Sequence, residues 1–139
     1  MSLTLMYITP DPAVAQIAQK SGVDWVFVDL EILGKQDRQG HLDTVISGHS
    51  IDDVRAVRAV LDESKLVVRC NPVHEGLAVE IEEIVQAGAD IIMLPFFTNA
   101  DEVSMFVSLV AGRAQACLLL ETAEAVRNLD SILDVAGID

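Results

Sequence analysis

Five short apolar runs, each followed by a segment with helical spacing, constrain the fold of this 139-residue chain more than any other feature. The runs are rich in Val, Ile and Leu and are nearly continuous rather than alternating. This pattern is typical of strands that are buried on both faces of a parallel sheet. The sequence therefore predicts strands at residues 3–8, 25–29, 66–70, 91–95 and 116–120, with helices between them.

Capping residues and glycines mark the ends of the predicted helices. Three helix starts carry a signal: Asp11 stands before proline, and Ser50 and Thr98 are each followed three residues later by an acidic residue. Glycine stands where four helices are expected to end, at positions 22, 88, 112 and 137. Three of these glycines begin a Gly-x-Asp pattern, at 22–24, 88–90 and 137–139. A strand is predicted directly after the first two, so the alternation also predicts a sixth strand after residue 139.

Alternating strands and helices form a parallel sheet with right-handed crossovers. A closed barrel and an open doubly wound sheet both meet this requirement. The first predicted strand is followed by Thr-Pro-Asp-Pro and not by a glycine-rich fingerprint, which disfavours the dinucleotide-binding open sheet. A complete (β/α)₈ barrel takes about 250 residues. We therefore interpret residues 1–139 as a single partial TIM-barrel domain of the α/β class, truncated to about five of its eight units. Its exposed sheet edges favour a homo-oligomer.

Composition narrows the classes of partner. The net charge of −13 opposes binding to nucleic acid and to anionic membrane surfaces, whereas a local arginine or metal can still attract a small anion. The sequence has no recognisable signal peptide and no apolar run long enough to cross a bilayer. Cys70 and Cys117 both lie in apolar runs, which indicates buried, reduced thiols. We expect a cytoplasmic protein.

Charged residues at the ends of the predicted strands are the candidates for a functional site, because barrel enzymes place their chemistry there. Asp29 and Glu31 close the second strand, Arg69 ends the third, and Glu121 follows the fifth. Alternation along the third strand would put Asn71 on the same face as Arg69. Such charges are costly to bury without a partner. Two interpretations stay open: a closed set of ion pairs around the arginine, or a site for an anionic ligand and a divalent cation.

Other polar residues are less informative. The segment at 32–49 is long and polar, and its His41 and His49 are either exposed loop residues or general bases that reach over the barrel mouth. Pro95 ends a strand, and a ligand could contact the backbone there. We expect His74 to be an exposed turn residue and the glutamates at 80, 82 and 83 to form a solvated helix face.

Four segments in the right order and spacing, at 22–31, 67–72, 87–95 and 119–126, resemble the HpcH/HpaI aldolase and citrate lyase β-subunit family. The resemblance covers essentially the whole chain and implies a metal-dependent carbon–carbon lyase or aldolase. It implies that Arg69 binds a pyruvate-like substrate and steadies its enolate. It also implies that Glu121 is one of two acidic ligands of Mg²⁺, Mn²⁺ or Co²⁺. Asp29 and Glu31 match an acidic motif that orders water around the metal or the base. We predict that Asp29, Glu31 and Pro95 bind the substrate together with Arg69.

The sequence departs from the family pattern in two places. In aldolase members a histidine directly follows the second strand's glutamate, but Ile32 stands there, so only His41 or His49 could serve as the base. The second metal ligand of the family is expected beyond residue 139, so we expect residues 1–139 to be inactive alone. The substrate would be a small 2-oxo acid or acyl-thioester. Phosphoenolpyruvate-type enolate transfer uses the same groups, and a non-catalytic binding or assembly module is the alternative from another class.

Overall fold

The chain folds into a five-stranded parallel sheet in which each strand pairs with the next one along the sequence. The computed structural model describes residues 3–33 and 48–139. The second strand has the predicted bounds, and the other four are shorter or shifted by a residue. The strands are β1 (Met6–Ile8), β2 (Trp25–Asp29), β3 (Lys65–Arg69), β4 (Ile91–Leu94) and β5 (Gln115–Leu118).

Helices follow all five strands in the described ranges, and none of them is long and apolar enough to cross a membrane. They are α1 (Pro12–Lys20), α2 (Ile51–Arg58), α3 (Leu77–Gln86), α4 (Ala100–Val110), α5 (Ala123–Arg127) and α6 (Leu129–Leu133). The predicted caps of α1 and α2 are confirmed: Asp11 accepts hydrogen bonds from the first turn, and Ser50 forms a capping box. The predicted cap of α4 is wrong by one residue. Asn99 caps this helix, while Thr98 donates to the side chain of Glu102.

The two faces of the sheet have different neighbours. One face packs against the helices and forms the main core, in which Val28, Val68 and Ile92 meet helix residues such as Phe106. The other face carries a separate apolar cluster made of strand residues and their flanks: Phe27, Val67, Ile91 and Met93, with Trp25, Cys117 and Leu119 against them. Within residues 3–33 and 48–139, helices pack on one face of the sheet only, whereas a doubly wound sheet is covered on both faces. The predicted partial barrel is therefore confirmed.

The face on which the described residues place no helix is the inner face of the barrel wall, and part of it is open to solvent. Met6 and Ile8 of β1 are each 49% exposed. The sheet order places β1 at one edge and β5 at the other. Among the described residues, each of these two edge strands therefore has a strand neighbour on one side only. This is the arrangement expected for about five of eight barrel units.

The three Gly-x-Asp segments adopt one local structure. Their glycines, Gly22, Gly88 and Gly137, all have φ near +90°, a conformation that side chains rarely adopt. Each following aspartate accepts a hydrogen bond from a backbone N–H at or next to the start of the preceding strand. The distances are 2.8 Å for Asp24 to Leu5, 2.7 Å for Asp90 to Leu66 and 3.0 Å for Asp139 to Ala116. The same three aspartates donate their own N–H to those residues' carbonyls, so each aspartate is bound to the preceding strand by both its backbone and its side chain.

Candidate functional site

The sequence-predicted acidic and basic residues meet at the carboxyl edge of the sheet. Asp29 and Arg69 are the last residues of β2 and β3, and the register of the two strands places them directly opposite each other. Parallel pairing therefore fixes the contact between them before any side-chain preference acts. Glu31 lies two residues beyond Asp29, and its backbone N–H donates to Asp29 Oδ1 at 3.1 Å.

Arg69 and Asp29 form a two-point ion pair. Arg69 Nε donates to Asp29 Oδ1 at 2.9 Å, and Arg69 Nη2 donates to Asp29 Oδ2 at 2.8 Å. Glu31 Oε2 lies 3.4 Å from the same Nη2. The side chains of both acids are only 3% exposed, and that of Arg69 is 17% exposed. The closed ion-pair set that the sequence left open is therefore present in part, made by Arg69 with these two acids.

The guanidinium of Arg69 also contacts the aromatic ring of Phe27. Its Cζ lies 5.6 Å from the centre of the Phe27 ring, so the arginine covers the apolar cluster of the inner face. The hydrogen bond to Asp29 raises the pKa of Arg69; burial opposes this, and the charges of Asp29, Glu31 and Glu121 add to it. The guanidinium is therefore cationic at neutral pH. Among the described residues its hydrogen bonds to acids use Nε and Nη2.

Glu121 lies at the same edge of the sheet, three residues after β5. It is exposed, and its Oε1 accepts a hydrogen bond from the backbone N–H of Phe96 at 3.2 Å. Thr122 binds the neighbouring segment too, because its hydroxyl donates to the Phe97 carbonyl at 2.8 Å. These contacts fix the segment after β5 against the segment after β4. Glu121 is close enough to Arg69 for its charge to influence the arginine's pKa.

Pro95 is buried and follows β4 directly. The next residue, Phe96, has φ +56°, and it is one of two non-glycine residues with positive φ among the described residues. Such a conformation costs on the order of 1 kcal/mol or more, and it is frequent in segments that bind ligands. The turn at Pro95 and Phe96 thus presents a backbone N–H to Glu121, a feature that the sequence did not reveal.

Of the two candidate bases, the structure describes only His49. His41 lies outside the described residues. His49 is half-buried beside the start of α2, and its Nδ1 accepts a hydrogen bond from the backbone N–H of Asp29 at 2.9 Å. An imidazole whose Nδ1 accepts carries its proton on Nε2 when it is neutral. In this geometry Nε2 of His49 can donate a hydrogen bond but cannot accept a proton, so the contact suits a hydrogen-bond donor better than a base.

A second polar network lies next to the ion pair, and the sequence did not predict it. Asn71 and Glu80 are hydrogen-bonded to each other, and His74 Nε2 lies 2.8 Å from Glu80 Oε2. The side chain of Glu80 is only 15% exposed, so the prediction of a solvated helix face is wrong for this residue, and His74 is not a free turn residue. Asn71 lies beyond the last residue of β3, where strand alternation no longer fixes its direction. The signal in the sequence that could have indicated this network is the presence of Asn71, His74 and Glu80 within ten positions.

A divalent cation is compatible with the donor chemistry of the edge, although the described residues supply only part of a site. Within 3–33 and 48–139, no group of three His, Cys, Asp or Glu side chains could hold a metal ion. Magnesium, however, is often bound by one or two carboxylates, with waters and substrate oxygens completing its six ligands. The carboxylate of Glu121, an exposed residue, fits one such position. Asp29 and Glu31 are engaged by Arg69 instead.

Solved structures with the same fold are similar over nearly the whole chain. An HpcH/HpaI aldolase from Desulfitobacterium hafniense DCB-2 matches with a TM-score of 0.75 at 18% identity, over 98% of this chain and 60% of that one. The citrate synthase SbnG matches with a TM-score of 0.72 at 18% identity, over 98% and 58%. An HpcH/HpaI aldolase/citrate lyase family protein from Burkholderia cenocepacia J2315 matches with a TM-score of 0.70 at 18% identity, over 98% and 61%.

These similarities support the fold, and the chain spans about 60% of the length of these relatives. No curated protein sequence matches the chain. The family itself is shown by a profile of HpcH/HpaI aldolase/citrate lyase proteins, which matches residues 4–139. The chain therefore belongs to the HpcH/HpaI aldolase/citrate lyase family.

Proposed function

We propose that this chain forms part of a divalent-metal-dependent carbon–carbon lyase or aldolase that acts on a 2-oxo acid, or a related acyl substrate, through an enolate. Membership of the family supports the reaction class. The observation that carries the proposal is the position of Arg69 and Glu121 at one edge of the sheet, within electrostatic reach of each other. At a shared edge, a cationic side chain can bind a small anionic substrate while a carboxylate binds the metal ion that contacts the same substrate.

Arg69 is proposed to bind the substrate and to stabilise the negative charge that develops on its oxo oxygen. Asp29 and Glu31 hold the guanidinium through Nε and Nη2, and Nη1 is proposed to bind a substrate oxygen. A donor that is fixed before the reaction needs no reorganisation when charge develops, and this electrostatic effect is typically the largest in such reactions. The acids thus act as positioning residues for the arginine, and the turn at Pro95 is proposed to contact the substrate through its backbone.

Glu121 is proposed to hold the metal, with the second acidic ligand coming from outside residues 1–139. When bound, Mg²⁺, Mn²⁺ or Co²⁺ would supply a Lewis acid that polarises the oxo group of the substrate. His49 is proposed to donate a hydrogen bond from Nε2 to the substrate, because its Nδ1 accepts one from the Asp29 backbone. His41 remains the proposed base.

The test is the exchange of pyruvate methyl protons for deuterium, followed by proton NMR with Mg²⁺, Mn²⁺ and Co²⁺ in turn. It requires a polypeptide that carries this sequence together with the remaining units of the barrel. We expect metal-dependent exchange that falls about 100-fold in Arg69→Lys, because lysine lacks the planar fork that meets the acids and the substrate together. Arg113→Lys is the matched control, since its partner Glu82 is on the outer helix surface. No exchange with any of the three metals would refute the proposal.

A non-catalytic binding or assembly module is the second candidate, and two observations favour it. Arg69 already has two acidic partners, and the inner face exposes Met6 and Ile8 at the edge strand β1. An apolar sheet face beside an edge strand is suited to association with another chain. This candidate predicts a tight oligomer that takes up no metal. Sedimentation velocity and calorimetric titration with Mn²⁺ would distinguish it from the lyase.

A further inference from the structure

We propose that Asn71 and Glu80 are positioning residues that connect α3 to the segment after β2, and that this connection holds Asp29 and Glu31 against Arg69. The inference rests on the proposed function, because it assigns a role to residues that do not themselves touch the reacting atoms. Neither residue belongs to the ion pair at the carboxyl edge. Both lie within one hydrogen-bonded network next to it.

Asn71 binds the segment after β2 through its side-chain oxygen. Its Oδ1 accepts hydrogen bonds from the backbone N–H of Ile32 at 2.8 Å and of Leu33 at 2.9 Å. The N–H of Leu30 donates to the Arg69 carbonyl at 3.0 Å. The segment is therefore attached to the end of β3 on both sides of Glu31. A residue between two attachment points has little freedom to swing away from the guanidinium.

Glu80 fixes the orientation of Asn71. One of its oxygens, Oε1, accepts from the Asn71 backbone N–H at 2.9 Å and from Asn71 Nδ2 at 3.0 Å. Since Nδ2 must face this carboxylate, Oδ1 must face the other way, toward Ile32 and Leu33. The charged acceptor makes these hydrogen bonds stronger than neutral ones. A glutamate on a helix thus decides which way a loop-binding amide points.

His74 completes the network from the other side of Glu80. Its Nδ1 accepts from the Gly76 N–H at 3.1 Å, so its Nε2 carries the proton that is shared with Glu80 Oε2 at 2.8 Å. Both carboxylate oxygens of Glu80 are therefore bound by groups of the β3–α3 connection. The whole path runs from α3, through Glu80 and Asn71, to the loop that carries Glu31.

The first test measures positioning without relying on catalysis. In the full chain, NMR hydrogen exchange is followed at the Ile32 and Leu33 amides and at Arg69 Nε–H, which donates to Asp29. We expect Asn71→Ala and Glu80→Ala to speed exchange at these three sites about tenfold, the loss expected for one or two net hydrogen bonds. Amides of β4 should keep their wild-type rates. Glu83→Ala, on the exposed face of the same helix, is the control and should change none of them.

Unchanged exchange at Ile32, Leu33 and Arg69 Nε–H in both variants would overturn the inference. So would a uniform rise at all amides, because that result would indicate a merely structural role in global stability. Asn71→Asp separates the two halves of the network: it keeps the acceptor for the loop but loses the donor to Glu80, and we expect exchange as fast as in Asn71→Ala.

The second test uses pyruvate proton exchange. We expect the kcat of Asn71→Ala and Glu80→Ala to fall about tenfold with little change in KM, because Arg69 can still bind the substrate but is held less firmly. An unchanged kcat would contradict a positioning role. If the unmodified protein shows no pyruvate exchange, the proposed function fails by itself, and the NMR result still decides whether Asn71 and Glu80 position the acids.

Discussion

Replacing Arg69 by methionine tests how much the buried acids depend on the guanidinium. The substitution keeps most of the side chain's length and leaves Asp29 and Glu31, each 3% exposed, without that cation. Removing one partner of a buried ion pair typically costs about 3–5 kcal/mol. The cost has an upper limit here, because an acid can instead bind a proton. For an aspartate with an ordinary pKa near 3.9, protonation at pH 7 costs about 4 kcal/mol. We therefore expect Arg69→Met to lose about 3–4 kcal/mol at pH 7.

The same limit makes the loss depend on pH. At pH 5 the protonation cost falls to about 1.5 kcal/mol, so the variant should recover most of the difference as the pH is lowered. The sign of this pH dependence follows from the protonation form that the folded variant favours. In the variant, loss of the guanidinium favours the protonated form of a buried acid more in the folded state than in the unfolded chain. The variant's stability is then fully present below the unfolded pKa, near pH 4, and declines as the pH rises.

Urea unfolding of the wild type and the variant between pH 4.5 and 8 measures the effect, with the fluorescence of Trp25, the single tryptophan, as the probe. Arg113→Met is the control, because its ion pair with Glu82 is 2.6 Å long but both side chains are 40% or more exposed. Such exposed pairs contribute less than about 1 kcal/mol. A loss below about 1 kcal/mol in Arg69→Met at pH 7, or a loss that does not vary with pH, would refute the reasoning.

Three further predictions concern stability. Phe106→Ala removes a fully buried ring of the main core and should lower the free energy of unfolding by about 3–5 kcal/mol in urea titrations. Gly88→Ala should be more destabilising in the same assay than Gly112→Ala, although both have positive φ, because a Cβ at position 88 would lie 3.0 Å from the Arg58 side chain whereas position 112 is open. Burial raises the pKa of the Cys70 thiol, so the unfolded chain ionises first, and stability that is complete below about pH 8.5 falls above it by up to about 1.4 kcal/mol per pH unit. Cys70→Ala should remove that part of the decline in unfolding curves at pH 8–10, and an identical decline in both proteins would contradict the prediction.

The barrel wall could be predicted from the sequence because burial and chain reversal leave strong local signals. The bounds of strand β2 are predictable because its apolar run ends abruptly in acids, and the glycines of the Gly-x-Asp segments stand where positive φ is required. The predicted helix cap is wrong where two adjacent residues are both suitable capping residues. Thr98 and Asn99 are both good caps, and only the tertiary contact of Glu102 with the Thr98 backbone decides between them.

The candidate site was predictable in part for the same reason. Strand ends at one edge bring Asp29, Arg69 and Glu121 together whatever their detailed contacts, so position in the sequence was sufficient. The pairing of Asp29 with Arg69 required the register of β2 and β3, which the sequence did not supply. The prediction that Glu80 faces solvent is wrong because it was based on a cluster of glutamates, and such clusters on a helix are usually exposed. Its burial depends on how α3 lies against the end of β3, and that is a property of tertiary packing.

The Gly-x-Asp loops have a consequence for how the chain reaches its folded state. Their side-chain hydrogen bonds join residues that are 19, 24 and 23 positions apart, within single β/α/β units. Contacts at such short separations close small loops, and topologies rich in them fold faster than those that must first bring distant segments together. The loops at 22–24 and 88–90 can therefore set the alignment of the two strands they join as soon as both have left the ribosome. Early alignment shortens the time during which an unpaired strand edge is available to other chains.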